Sequence, residues 1–168
     1  MPLPTSKRQA ALADLVTRLE KIQVTKGYNS DVGLSIFQGE TPRGGEDDPT
    51  SALAIIIADD SPTVEDQRIT SEAAFEVHAL VRVGTAQPLV AAEAIIADIK
   101  EAVELTEDAN TRTLGVIGDA PSQSPATTPK GLRRGVTRAL RREEGSEYVG
   151  AVVEYVATFE EQWGGGGL

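Results

Sequence analysis

His78 is the one side chain in this 168-residue sequence whose ordinary proton exchange falls near neutral pH. A general base needs a partner that orients it, and the alternate neighbours Glu76 and Leu80 do not point to one. His78 therefore reads as a structural or interface histidine. Adjacent carboxylates occur at Asp47-Asp48, Asp59-Asp60 and Glu65-Asp66. The twelve-residue spacing that folds such groups around calcium is absent, so they read as solvated loop charges. The glycine-rich pieces Gly44-Gly45, Gly115 to Gly118 and Gly164 to Gly167 lack the lysine and hydroxyl of a phosphate loop and the spacing of a dinucleotide loop. With no cysteine, a thiolate metal site, a cysteine nucleophile and a disulfide framework are excluded. No nucleophile elbow, histidine metal pair or carboxylate dyad appears. The expectation is a protein without catalytic, metal or cofactor-binding residues, and not an enzyme.

The concentrated charge feature is basic: Lys130, Arg133, Arg134, Arg138, Arg141 and Arg142. It is either an electrostatic contact, with an acidic face of a neighbouring subunit or with passing nucleic acid, or the solvated face of one element. No aromatic residue interleaves with the arginines, so base stacking is not indicated. The chain as a whole carries a net charge of −10, which disfavours general DNA binding through phosphate neutralisation. Its acidic remainder would complement the basic stretch in a homo-oligomer.

Two alternating runs organise the elements that would carry these residues. In Ala74 to Val83, Phe75, Val77, Ala79, Val81 and Val83 alternate with Glu76, His78, Leu80 and Arg82; in Val149 to Glu160, Val149, Ala151, Val153, Tyr155, Ala157 and Phe159 alternate likewise. Period two predicts half-buried strands, here two strands of one antiparallel sheet. Leu12, Leu15, Val16, Leu19 and Ile22 give helical spacing over residues 6–24, with Gly27 as its stop. A short strand is expected over Asp31 to Gln38, and a strand buried on both faces, central in the sheet, over Ala52 to Ala58. The polar stretch Asp59 to Thr70, with Pro62, reads as a connecting loop able to extend the hairpin. Pro88 opens a second helix along Val90, Ala94, Ile95, Ile99, Ala102, Val103 and Leu105.

Residues 39–51 and 110–131 read as extended loops, the second apart from the apolar piece Leu114 to Ile117, and 164–168 as a flexible Gly-rich tail on a single domain, 1–163. Residues 131–142 fit either a helix or a strand; the strand, hairpinned with 147–160, is favoured because Gly131 and Gly135 weaken a helix. The order of elements predicts an α+β fold: an antiparallel or mixed sheet of four to five strands with two main helices on one face. No apolar run approaches a membrane span and the N-terminus lacks the apolar core of a leader. The expectation is a soluble protein, cytoplasmic at synthesis.

The stretches ALADLVTRLEKI, GYNSDVGLSIFQGE, AIIIADD, FEVHALVRV, PLVAAEAIIADIKEAV and REEGSEYVGAVVEYVATFEEQWG, in this order, resemble the tail terminator proteins of long-tailed bacteriophages, the minor tail protein U type. The resemblance covers almost the whole chain and rests on element order, not on a signature motif. It implies a homo-oligomer, a hexameric ring at the head-proximal end of the virion tail, made in the host cytoplasm. Such a ring caps the tail tube protein and offers its other face to a neck or head completion protein. Genomic DNA would pass through its lumen without sequence-specific binding. The subunit or neighbour interface expected from position and charge comprises Arg133, Arg134, Arg138, Arg141, Arg142, Glu46, Asp47, Asp48 and Trp163. Another head-tail connector, neck or tube protein is the alternative within the virion. Outside it stands a cellular ligand-binding or enzymatic α+β domain, which a bound small molecule or a deep polar pocket around His78 would favour.

Overall fold

The computed structural model describes residues 7–40, 49–65, 68–83, 87–108, 111–114, 131–140 and 146–162. Helix α1 (Lys7–Leu19) is followed by 3-10 turns at Val24–Lys26 and Val32–Leu34, then strands β1 (Ile36–Gln38), β2 (Ser51–Glu65) and β3 (Arg68–Arg82). Helix α2 (Pro88–Glu104), a small hairpin of β4 (Leu105–Asp108) and β5 (Thr111–Leu114), and strands β6 (Gly131–Leu140) and β7 (Tyr148–Gln162) complete the order. The main sheet runs β1-β2-β3-β7-β6. The β1-β2 pair is parallel and the other three are antiparallel, so the sheet is mixed. This is the α+β class that the pattern predicts.

Alternation decides which face is covered. Leu53 and Ile55 of β2, Ala73, Phe75, Val77 and Ala79 of β3, and Ala151, Val153, Tyr155 and Ala157 of β7 form one buried cluster with residues of both helices. Leu15 and Leu19 of α1 and Ile95, Ile99 and Val103 of α2 supply the helical side. Both helices therefore lie on one face of the sheet. Full burial of each such aliphatic side chain contributes about 1.5–3 kcal/mol. Arg18 ties the helices together: its Nε donates to Asp14 at 2.8 Å and one terminal nitrogen to the Val103 carbonyl at 3.2 Å, in the last turn of α2.

Several boundaries differ from the sequence expectation. The first helix ends at Leu19 instead of running on to residue 24. The chain then winds back, with the Val24 amide donating to the Asp31 carboxylate at 2.8 Å and Gly27 taking φ 95°. The strand expected over 31–38 is cut to Ile36–Gln38, because Val32–Leu34 form a 3-10 turn in which Gly33 lies against the end of α1. A Cβ on Gly33 would collide with the Leu19 carbonyl oxygen and come within 2.7 Å of that of Ile22.

The run Ala52 to Ala58 is a strand, but β3, not β2, is the middle strand of the five. Burial on both faces holds from Ala52 to Ile55, whereas Ile57 is 38% exposed. Of the stretch 59–70, residues 59–65 and 68–70 are strand and extend the hairpin: β2 and β3 stay paired out to Glu65 and Arg68, with an irregularity between Ile57 and Asp60. Pro62 fits because, among the described residues, β1 pairs only with Leu53 to Ile55 and β2 has no second neighbour there to receive an amide proton. Within the expected loop 110–131, Thr111–Leu114 pairs with Leu105–Asp108; 115–130, like 41–48 of the other loop and the tail 164–168, lies outside the described residues. Residues 131–140 form the strand that the alternation favours, antiparallel to β7.

Candidate interaction surface

Strand β6 is an edge of the main sheet, and it carries the described part of the basic stretch. Register fixes where each arginine sits. Arg133 stands opposite Val156 and Arg134 opposite Tyr155, so successive positions fall on opposite faces. A register shift between Arg134 and Thr137 then adds a residue, and Arg138 stands opposite Val152. Arg133 and Arg138 thus lie on the helix-free side, and Arg134 on the helix side. Gly135 lies in this bulge, beside the Glu154 carboxylate.

Their partners differ accordingly. Arg134 donates to both carboxylate oxygens of Glu104 at 3.0 Å, at the last residue of α2. The buried Tyr155 hydroxyl donates to the same carboxylate at 3.2 Å. Burial, followed by the negative charge of Glu104, pushes the Tyr155 phenol well above its usual range. Arg133 reaches Glu72 of β3 at 3.3 Å, with 64% of its side chain exposed. Arg138 is exposed and has no ion pair among the described residues. Beside it Val136 is 57% exposed and Leu140 37%. The edge presents an exposed cation and two exposed apolar side chains. Arg141, Arg142, Glu46, Asp47, Asp48 and Trp163 lie outside the described residues.

Contrary to the sequence expectation, His78 has a partner: its ring Nε2 and Glu76 Oε2 are 2.7 Å apart. Residues two apart on a strand share a face, the signal from which this pair was readable. Across the sheet His78 stands between Ala54 and Val152, so neither strand neighbour supplies a hydroxyl or a second ligand. Among the described residues no group of three or more histidines and carboxylates is arranged to hold a metal ion.

Two polar clusters escaped the sequence reading. One is the Tyr155-Glu104-Arg134 set, which a buried tyrosine tip calls for in general terms. The other is Asp98, 1% exposed on α2. Its carboxylate accepts from the Asn29 amide at 3.0 Å, from Asn29 Nδ2 at 2.8 Å and from Ser30 Oγ at 2.7 Å. This anchors the turn after α1 on α2.

Comparison with solved structures gives this architecture a counterpart. A chain of the virion of native gene transfer agent (GTA) particle superposes with a TM-score of 0.56, at 16% identity, covering 88% of this chain and 92% of that one. This chain is similar to a virion chain. At that identity the likeness is one of fold, and it extends over nearly the whole length of both. No protein-family model and no curated protein matches the sequence. No helix among the described residues is long and apolar enough to cross a membrane.

Proposed function

We propose that this protein is a structural component of a phage-like virion, a tail terminator whose subunits form a ring on the tail tube. The observation that carries the reading is the fold shared with a chain of the gene transfer agent virion over 88% of the present one. The resemblance to tail terminators, which rests on the order of elements along the sequence, points to the same class. In this reading the ring stops tube elongation at the head-proximal end and gives the neck or head completion protein a surface to bind. Closed symmetry and two different ring faces suffice for that task, and no bond is made or broken.

The basic stretch and the acidic loop take part in the subunit interface: Arg133, Arg138, Arg141 and Arg142 on one side, Glu46, Asp47 and Asp48 on the other, with Trp163 beside them. Arg134 contributes through the position of β6, since its guanidinium is held by Glu104. Net negative charge, −10 for each chain, keeps DNA mobile in the lumen through like-charge repulsion.

The test is to add the purified protein to polymerising tail tube protein and image the products. Tubes that stay short and carry a ring of density at one end are the expected result. Tubes of unchanged length with bare ends would reject the terminator role, and binding to a neck protein instead would place the chain elsewhere in the connector.

A further inference from the structure

In sequence, β6 alternates along its whole length: Leu132, Arg134, Val136, Arg138 and Leu140 hold the even positions, and Arg133, Gly135, Thr137 and Ala139 the odd ones. A continuous ladder would keep each set on one face of the sheet. The folded strand breaks that pattern. Residues Thr137 to Leu140 pair with Val153 to Gly150, and the same register carried on would set Arg134 opposite Val156 and Leu132 opposite Thr158. Instead the extra residue between Arg134 and Thr137 sets Arg134 opposite Tyr155 and Gly131 opposite Thr158. Gly135 and Val136 are left out of the pairing. Interrupting a ladder is unfavourable, so something must offset it.

The offset lies on the helix side. There the Arg134 guanidinium donates to both oxygens of Glu104, whose side chain is 15% exposed. The same carboxylate accepts from the buried Tyr155 hydroxyl. In the continuous register Arg134 would stand on the helix-free side, and this enclosed carboxylate would lose its cation, a strongly unfavourable change. Arg133 meets Glu72 on the helix-free side, but both members of that pair are well exposed, and such a contact adds little in water.

We propose that the Tyr155-Glu104-Arg134 network pins the bulge in β6, and that β6 takes the continuous register when the pin is released. Glu104 and Arg134 act as positioning residues in this device. A slip of one residue turns over the first half of the strand. Arg134 then joins Val136, Arg138 and Leu140 on the helix-free side, and Arg133 leaves it. One ion pair thus selects between two surfaces of the edge strand. The inference concerns β6 within a single chain and holds whether or not the chain assembles into a ring.

Because the chain has no cysteine, engineered cross-strand disulfides report the register directly. G131C/T158C joins positions that face each other in the bulged strand, and L132C/T158C joins those that face each other in the continuous one. In either register the other pair lies on opposite faces, out of disulfide reach. Both pairs are oxidised under one condition in the parent, R134M, R134K and R133M backgrounds, and the yields are read by mass after thiol alkylation. The parent should favour the 131–158 bond. In R134M the ratio of the two yields should fall by about tenfold, the effect of losing a charge-assisted hydrogen bond. R134K should restore most of it, and R133M should leave it unchanged. An unchanged ratio in R134M, or an equal fall in R133M, would overturn the pin, and loss of both bonds in R134M would overturn the second register. Should R134M fail to fold by circular dichroism, E104Q takes its place with the same fall expected and an unchanged ratio as the contrary result.

Discussion

Tyr155 sits under the helix layer with no exposed surface and one hydrogen bond, to Glu104. Its proton is held more tightly in the folded chain than in the unfolded one, where the phenol has its ordinary value of 10.0. Above that pH the unfolded chain binds fewer protons than the native one, so stability falls as pH rises. Chemical denaturation as a function of pH should show stability declining from about pH 10 upward, and Tyr155→Phe should remove that component while costing about 1 kcal/mol at neutral pH. Asp98 makes a different demand. Asp98→Ala removes a buried carboxylate that accepts three hydrogen bonds from the turn after α1. We expect a loss of about 3 kcal/mol in denaturant unfolding, larger than for an exposed carboxylate.

At the scale of elements, the close approach at Gly33 fixes how the turn after α1 enters β1. Gly33→Ala must push back the Leu19 and Ile22 carbonyls, which are backbone and cannot rotate away. A loss of about 2 kcal/mol is expected in denaturant unfolding, with the helix content by circular dichroism kept. The same contact explains why the segment 31–38 was illegible as it stands: its alternation of Val32, Leu34 and Ile36 is that of a strand, but the path is set by Asp31 and Gly33 meeting residues of an earlier element. Strands β3 and β7 were legible because one face of each is buried along most of its length, so the period survives in the sequence. The outer half of the β2-β3 hairpin was not, since Pro62 and Asp59-Asp60 read as a turn and only the partner strand makes them a ladder. On β6 the arginines were legible as charge. Their division between two faces was not, because the bulge after Arg134 changes which alternate residues share a side.

For the molecule as a whole, two helices close one face of a mixed sheet whose edge strand β6 carries Arg133, Arg134 and Arg138. The fold alone is shared with a gene transfer agent virion chain; the ring is the function proposed for it. Assembly through opposed charges should weaken with salt, because exposed pairs are screened over about 8 Å at physiological ionic strength. The most direct test is the native mass of the wild-type protein, alone and bound to tail tubes, at low and raised salt. The account predicts a species six times the 17.8 kDa chain, ring-shaped on imaging and more dilution-sensitive in high salt. A monomer under every condition, tubes included, would contradict it.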